Sequence, residues 1–213
     1  MIIKAHAVLN DEMLGTKPVG PAIFEKFIAE KKREYLKNIG KPEAELDVDD
    51  ENELQEKLDA IEQAGFTCFH RDADECPIIW DYQVKGFFKG ACGFLRRVKT
   101  TESAKLKAYK QIIDGLIFVT PRKIKLNLQT GTAIATCERS LRVETMRGPR
   151  VCLAKSESVP EGTRFDFDVE LLDDGMENAV MEWFDYARKN GLGQWRNGGK
   201  GRCEITIRNE FPI

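Results

Sequence analysis

A chain of 213 residues with 33 Lys and Arg against 35 Asp and Glu carries a formal charge of −2, so it lacks the basic excess that would attract polyanions by net charge alone. No apolar run approaches the length of a membrane span and no leader-like apolar stretch opens the sequence, which argues against a helical membrane protein and for the cytoplasm. Six cysteines without a CxxC pair read as reduced, mostly buried thiols, and neither a metal nor a cofactor is expected. The length suffices for one large core, and a single compact domain over 1–213 is the expectation.

Residues 2–9 alternate apolar and polar and predict a first strand. After the breaks at Gly15 and Pro18-Val19-Gly20-Pro21, residues 22–36 and 53–64 carry helical spacing, and the acidic stretch 40–52 between them reads as a mobile insertion. Residues 66–71 and 77–80 predict a hairpin around Asp72-Ala73-Asp74-Glu75. Residues 83–97 predict a buried helix and 103–113 an amphipathic one. Strands are expected at 116–119, 124–128, 133–136, 141–145, 151–155 and 163–172. In the last, Phe165, Phe167, Val169 and Leu171 alternate with Asp166, Asp168 and Glu170. A helix over 178–190, a glycine-rich loop and a strand from 202 close the chain. This order predicts an α+β fold with an antiparallel sheet.

Charge is unevenly placed. Between 118 and 155 the cations are Arg122, Lys123, Lys125, Arg139, Arg142, Arg147, Arg150 and Lys155, against Glu138 and Glu144 alone. The loop from Gly191 to Arg202 sets five glycines around Trp195, Arg196, Lys200 and Arg202. Gly193, Gly198, Gly199 and Gly201 permit close backbone approach to a ligand. The cations suit phosphates, and the indole offers a face to a base. Neither GxGxxG nor GxxxxGK[ST] can be read there, so a nucleotide-cofactor loop is not indicated. Arg139, Arg142, Arg147 and Arg150 form a second cluster, with the last two flanking Gly148-Pro149, and arginine favours bidentate phosphate contacts.

The basic strand pair from Arg139 to Leu153, the strand Gly162 to Leu171 and the loop Gly191 to Arg202 together resemble the RAMP superfamily of CRISPR-associated RNA-binding proteins. Those proteins are built from RRM-like, ferredoxin-like βαββαβ modules, and the resemblance covers the C-terminal third. It implies an α+β, RRM/ferredoxin-like module with a helical insertion, whose late glycine-rich loop contacts RNA. A phage or mobile-element relative, working in the host-cell cytoplasm, fits the same resemblance. The function expected is non-catalytic binding of single-stranded RNA, or less readily DNA. Arg139, Arg142, Arg147, Arg150, Arg196, Lys200 and Arg202 would meet phosphates, and Trp195 would stack. Expected partners are the nucleic acid, further copies of the chain along the strand, or a protein.

Two other readings stand beside it. A metal-independent endoribonuclease would need a general base, and His70 and His6 are the two histidines in the chain. A protein-interaction module imitating a CRISPR effector subunit would bind without nucleic acid. Cys68, His70 and Cys76 supply at most three ligands without zinc spacing, so core thiols are the better reading.

Overall fold

The computed structural model describes residues 1–18, 66–145 and 148–208, with the backbone alone described at 18, 141–145 and 148–153. The helices expected at 22–36 and 53–64, the acidic insertion 40–52 and Arg147 lie outside the described residues. The chain divides into two compact units, Met1–Thr16 with Phe69–Ala135 and Ser158–Ile213, and Lys17–Cys68 with Thr136–Glu157.

In chain order the described strands are β1 (Ile2–Leu9), β2 (Met13–Leu14), β3 (Lys17–Pro18), β4 (Phe66–Cys68), β5 (His70–Arg71) and β6 (Pro77–Trp80). Helix α1 (Asp81–Leu95), a 3₁₀ turn (Glu102–Lys105) and helix α2 (Tyr109–Leu116) follow. Then come β7 (Ile117–Thr120), β8 (Lys123–Lys125), β9 (Ala135–Thr145), β10 (Gly148–Val159), β11 (Arg164–Leu171), helix α3 (Glu177–Tyr186) and β12 (Cys203–Ile207).

The first unit is built on a four-stranded antiparallel sheet in the order β12-β1-β11-β7. With α1 between β1 and β7, and α3 between β11 and β12, this is the βαββαβ ferredoxin-like arrangement, an α+β fold as expected. The register sets small side chains against large ones, Ala5 opposite Phe167 and Ala7 opposite Phe165. That pairing leaves room for the helices to close on the rings. Phe88 of α1 tilts against Trp183 and Phe184 of α3 at 5.4 and 6.1 Å, and Phe184 meets Phe167 edge-on at 6.1 Å. Helix α1 buries Val84, Phe87, Phe88, Ala91 and Cys92, one stripe of a 3.6-residue period. Cys203 of β12 is also buried, and burial pushes its thiol up to about 12, so it acts as a small apolar side chain.

A three-stranded sheet in the order β5-β6-β8 lies in the same unit and contains the hairpin expected around residues 72–75. In the second unit, β10 pairs with β9, and in parallel with β4, which pairs with β3. The two strands expected at 133–136 and 141–145 are one strand, β9, and Gly148-Pro149 opens β10 instead of forming a turn.

The helix expected at 103–113 is divided. Thr101 Oγ1 accepts from Ala104 N at 3.2 Å, and the Glu182 carboxylate accepts from the N–H groups of Glu102 and Ser103 at 2.5 and 3.1 Å. Buried Ser103 accepts from Trp183 Nε1 at 2.9 Å. This long-range capture holds a 3₁₀ turn where local periodicity favoured continuous helix, and α2 starts afresh after Ala108 at φ 50°.

Candidate nucleic-acid interface

RRM-type modules stack bases on aromatic side chains of their two central strands, on the outer face of the sheet. Here the outward residues of β1 are Ile2, Lys4, His6 and Val8, and those of β11 are Arg164, Asp166, Asp168 and Glu170. His6 Nδ1 lies 2.7 Å from Asp166 Oδ1, and Arg208 Nη2 donates to Asp168 at 3.1 Å. The central strands thus carry no outward aromatic ring and a row of carboxylates, a surface unsuited to phosphates.

The glycine-rich loop offers different chemistry. Leu192 N donates to Gly201 O at 2.9 Å, clamping the two ends of the loop together. A Cβ at Gly191 would fall 1.7 Å from Gly201 O, and one at Gly201, where φ is +71°, would fall 1.8 Å from Leu192 O. Only glycine permits this backbone approach. Gly201 N donates to Glu12 O at 2.8 Å, and the Glu12 carboxylate binds both Lys200 Nζ and Ser158 Oγ. Burial raises the Glu12 pKa, but the Lys200 and Ser158 hydrogen bonds outweigh it and hold the carboxyl below its usual value.

On this frame Trp195 sits in the left-handed region at φ 53°, uncommon for a large side chain, with 42% of its surface exposed. A Cβ at Gly198 would lie 2.7 Å from Trp195 Cε2, so the bare backbone of Gly198 packs under the indole ring. Arg196 reaches helix α1, its Nη1 lying 3.4 Å from where a Cβ of Gly90 would stand, and it forms no ion pair among the described residues. Gly193, at φ +81°, abuts Leu14 O, while Gly199 turns at φ +88° against the Arg202 guanidinium. The Arg202 carbonyl accepts from Asn10 and Asp11 at 2.8 and 3.4 Å.

The loop residues expected from sequence therefore divide by task. Trp195 is exposed and Arg196 lies half-buried against α1, whereas Lys200, Arg202 and the glycines hold the loop. A cavity lined by Leu192, Gly193, His70 and Gln83 measures about 10 Å³, the space of one water and too little for a base. Binding by the loop would thus be on the surface.

The arginine hairpin belongs to the second unit: Arg139 is a partly buried residue of β9, Arg142 lies in β9 and Arg150 in β10. His6 stands on the sheet face, and His70 packs edge-on to Trp80 at 5.4 Å. Lys89 is paired with Asp114 at 2.6 Å, Lys85 donates to Asp114 O, and Arg96 covers Tyr109. No helix among the described residues is long and apolar enough to cross a membrane.

Sequence reasoning did not bring Tyr82, Arg122 and Lys123 together around Trp80. Tyr82 stacks on Trp80 at 6.3 Å and 13°, and Arg122 and Lys123 each lie 5.8 Å from the Trp80 ring centre. The dipeptide Arg122-Lys123 and the aromatic pair around Asp81 were the available signals.

No protein-family model matches the chain, and no curated protein does. Among solved structures it is similar to a chain of a type III-B Cmr-β complex bound to cognate target RNA, with a TM-score of 0.52 and 9% identity. That comparison covers 98% of this chain and 58% of the other, so this chain spans little more than half its length. It is also similar to a chain of a type IV-B CRISPR complex, with a TM-score of 0.45 and 11% identity, over 100% of this chain and 92% of that one. The α+β fold is thus shared with the chain of the Cmr-β complex.

Proposed function

We propose that the chain is a non-catalytic RNA-binding subunit of the RAMP type, holding single-stranded RNA on its glycine-rich loop within a larger protein assembly. The observation that carries this is the division of labour in the loop. Its backbone is clamped by Gly191, Gly201 and the Glu12–Lys200 pair, yet Trp195 remains exposed and Arg196 has no ion-pair partner among the described residues. An exposed indole with a guanidinium beside it is what a base and its phosphate require. The shared fold with a chain from an RNA-bound complex favours RNA over DNA. Arg139, Arg142, Arg147 and Arg150 take phosphates in this reading, and the acidic sheet face is left for other contacts.

A nuclease reading has one observation in its favour, the His6–Asp166 pair at 2.7 Å, since a carboxylate on one ring nitrogen orients the other for proton transfer. The neighbouring Asp168 and Glu170 weigh against a phosphate there.

The test is a salt series of single-stranded RNA and DNA binding with the products run on a denaturing gel. The wild type should bind RNA and leave it intact. Trp195→Ala should weaken binding roughly 5- to 150-fold, the range for one stacked base, and Arg196→Ala should flatten the salt slope by about 0.7. Unchanged affinity in both variants would overturn the loop assignment, and products lost on His6→Ala would establish the nuclease.

A further inference from the structure

A second aromatic and cationic cluster lies where β6 runs into helix α1. The register of β6 on β8 sets Lys123 directly opposite Trp80, and Arg122, one residue earlier, accepts from Asp81 N through its carbonyl at 3.0 Å. Both cations thereby fall against the Trp80 ring. Gln83 Oε1 accepts from Trp80 N at 2.8 Å, fixing the first turn of α1 so that Tyr82 stacks nearly parallel to Trp80. Tyr82 is 55% exposed. Arg122 and Lys123 are exposed and have no carboxylate partner among the described residues, whereas the next cation, Lys125, is bound by both Asp72 and Asp74 at 2.7 and 2.9 Å. Asp72 and Asp74 are thus engaged by Lys125, and Arg122 and Lys123 stand without a carboxylate partner among the described residues beside an open aromatic face.

The position of this cluster relates it to the loop. Tyr82, Gly86 and Gly90 share one face of α1 at i, i+4 and i+8. Arg196 lies across that face at Gly90, and among the described residues no atom beyond the glycine's chain neighbours and the helix's own nearby backbone stands within 4 Å of where a Cβ of Gly86 would be. From Tyr82 to Gly90 the helix rises about 12 Å at about 1.5 Å per residue. That accommodates roughly three stacked nucleotides at about 3.4 Å each.

We infer that Tyr82, stacked on Trp80 and flanked by Arg122 and Lys123, is a second base-stacking and phosphate-holding subsite for the same single-stranded RNA, reached from the glycine-rich loop along the bare glycine face of α1. This rests on the reading of the loop as an RNA-binding element. Tyr82 takes a base on its free face, Arg122 and Lys123 take the phosphates beside it, and Trp80 with Gln83 positions the tyrosine.

The experiment is fluorescence anisotropy of a labelled single-stranded RNA with the full chain across a salt series. It compares wild type, Tyr82→Ala, Tyr82→Phe, the pair Arg122→Ala and Lys123→Ala, and the loop pair Trp195→Ala and Arg196→Ala. Tyr82→Ala should weaken binding roughly 5- to 150-fold, and Tyr82→Phe should retain it. The Arg122 and Lys123 pair should flatten the salt slope by about 1.4, at about 0.7 per phosphate contact. These residues are exposed, and an unchanged melting temperature separates lost contact from lost fold. If the loop pair loses affinity while Tyr82→Ala and the cation pair match wild type, the subsite is overturned and the loop reading stands. If the reverse holds, the loop reading falls, and the inferred path of one RNA from the loop to Tyr82 falls with it. A wild type that binds no RNA overturns both.

Discussion

Trp195 is a large side chain held in a backbone conformation that suits glycine, at φ 53°. Such a residue persists because its surroundings over-determine it, and strain of about 1–3 kcal/mol is typical. The clamp at Gly191 and Gly201 supplies that determination. The two kinds of position should therefore respond in opposite ways. Trp195→Gly should leave the melting temperature unchanged or raise it while RNA affinity falls, because it removes strain together with the stacking face. Gly201→Ala should lower the melting temperature sharply, since its Cβ would overlap Leu192 O and its φ of +71° costs an alanine about 1–2 kcal/mol. Melting curves and anisotropy on both variants check this. A loop that existed only to connect α3 to β12 would show no loss of binding at Trp195.

At the level of elements, the loop is tied to the segment after β1 by Glu12, which binds Lys200 and Ser158 through its carboxylate and Gly201 through its carbonyl. Because the folded-state pKa of Glu12 is depressed, its contribution is present above the unfolded carboxyl value and is lost as pH falls through the lower, folded value. Glu12→Gln should thus destabilise by about 1–3 kcal/mol at pH 7, and the gap to wild type should close as pH falls through the acid range. Denaturant unfolding at several pH values reads this directly, and a gap independent of pH would assign the effect to packing. How far such ties were legible in sequence depends on their range. The alternation of Phe165, Phe167, Val169 and Leu171 with acids announced β11, and the glycines with Trp195 announced the loop, because both signals are local. The pairing of Glu12 with Lys200, the division of 103–113 by Glu182, and the juxtaposition of Trp80 with Lys123 join residues distant in sequence. They depend on register and packing that no local pattern encodes.

For the molecule as a whole, a charge of −2 leaves no long-range attraction for RNA, so the distribution of charge must select the binding face. The ferredoxin-like sheet offers two candidates within the first unit: its outer face, which RRM-type modules use, and the glycine-rich loop with the α1 cluster. On the outer face the cross-strand pairs are His6 with Asp166 and Lys4 with Asp168, so each outward basic position on β1 has an acid directly opposite on β11. A phosphate placed there would meet carboxylates before it met either cation, and no ring on the central strands would compensate by stacking. Lys4→Ala and His6→Ala should therefore leave RNA affinity and its salt slope at wild-type values. Asp166→Asn with Asp168→Asn should not weaken binding, and should strengthen it slightly at low salt, where repulsion between exposed charges is least screened. Anisotropy titrations of these variants at low and high salt decide between the faces. A drop of tenfold or more on Lys4→Ala or His6→Ala would move the RNA onto the sheet and leave Trp195, Arg196 and Tyr82 to be explained by a protein partner.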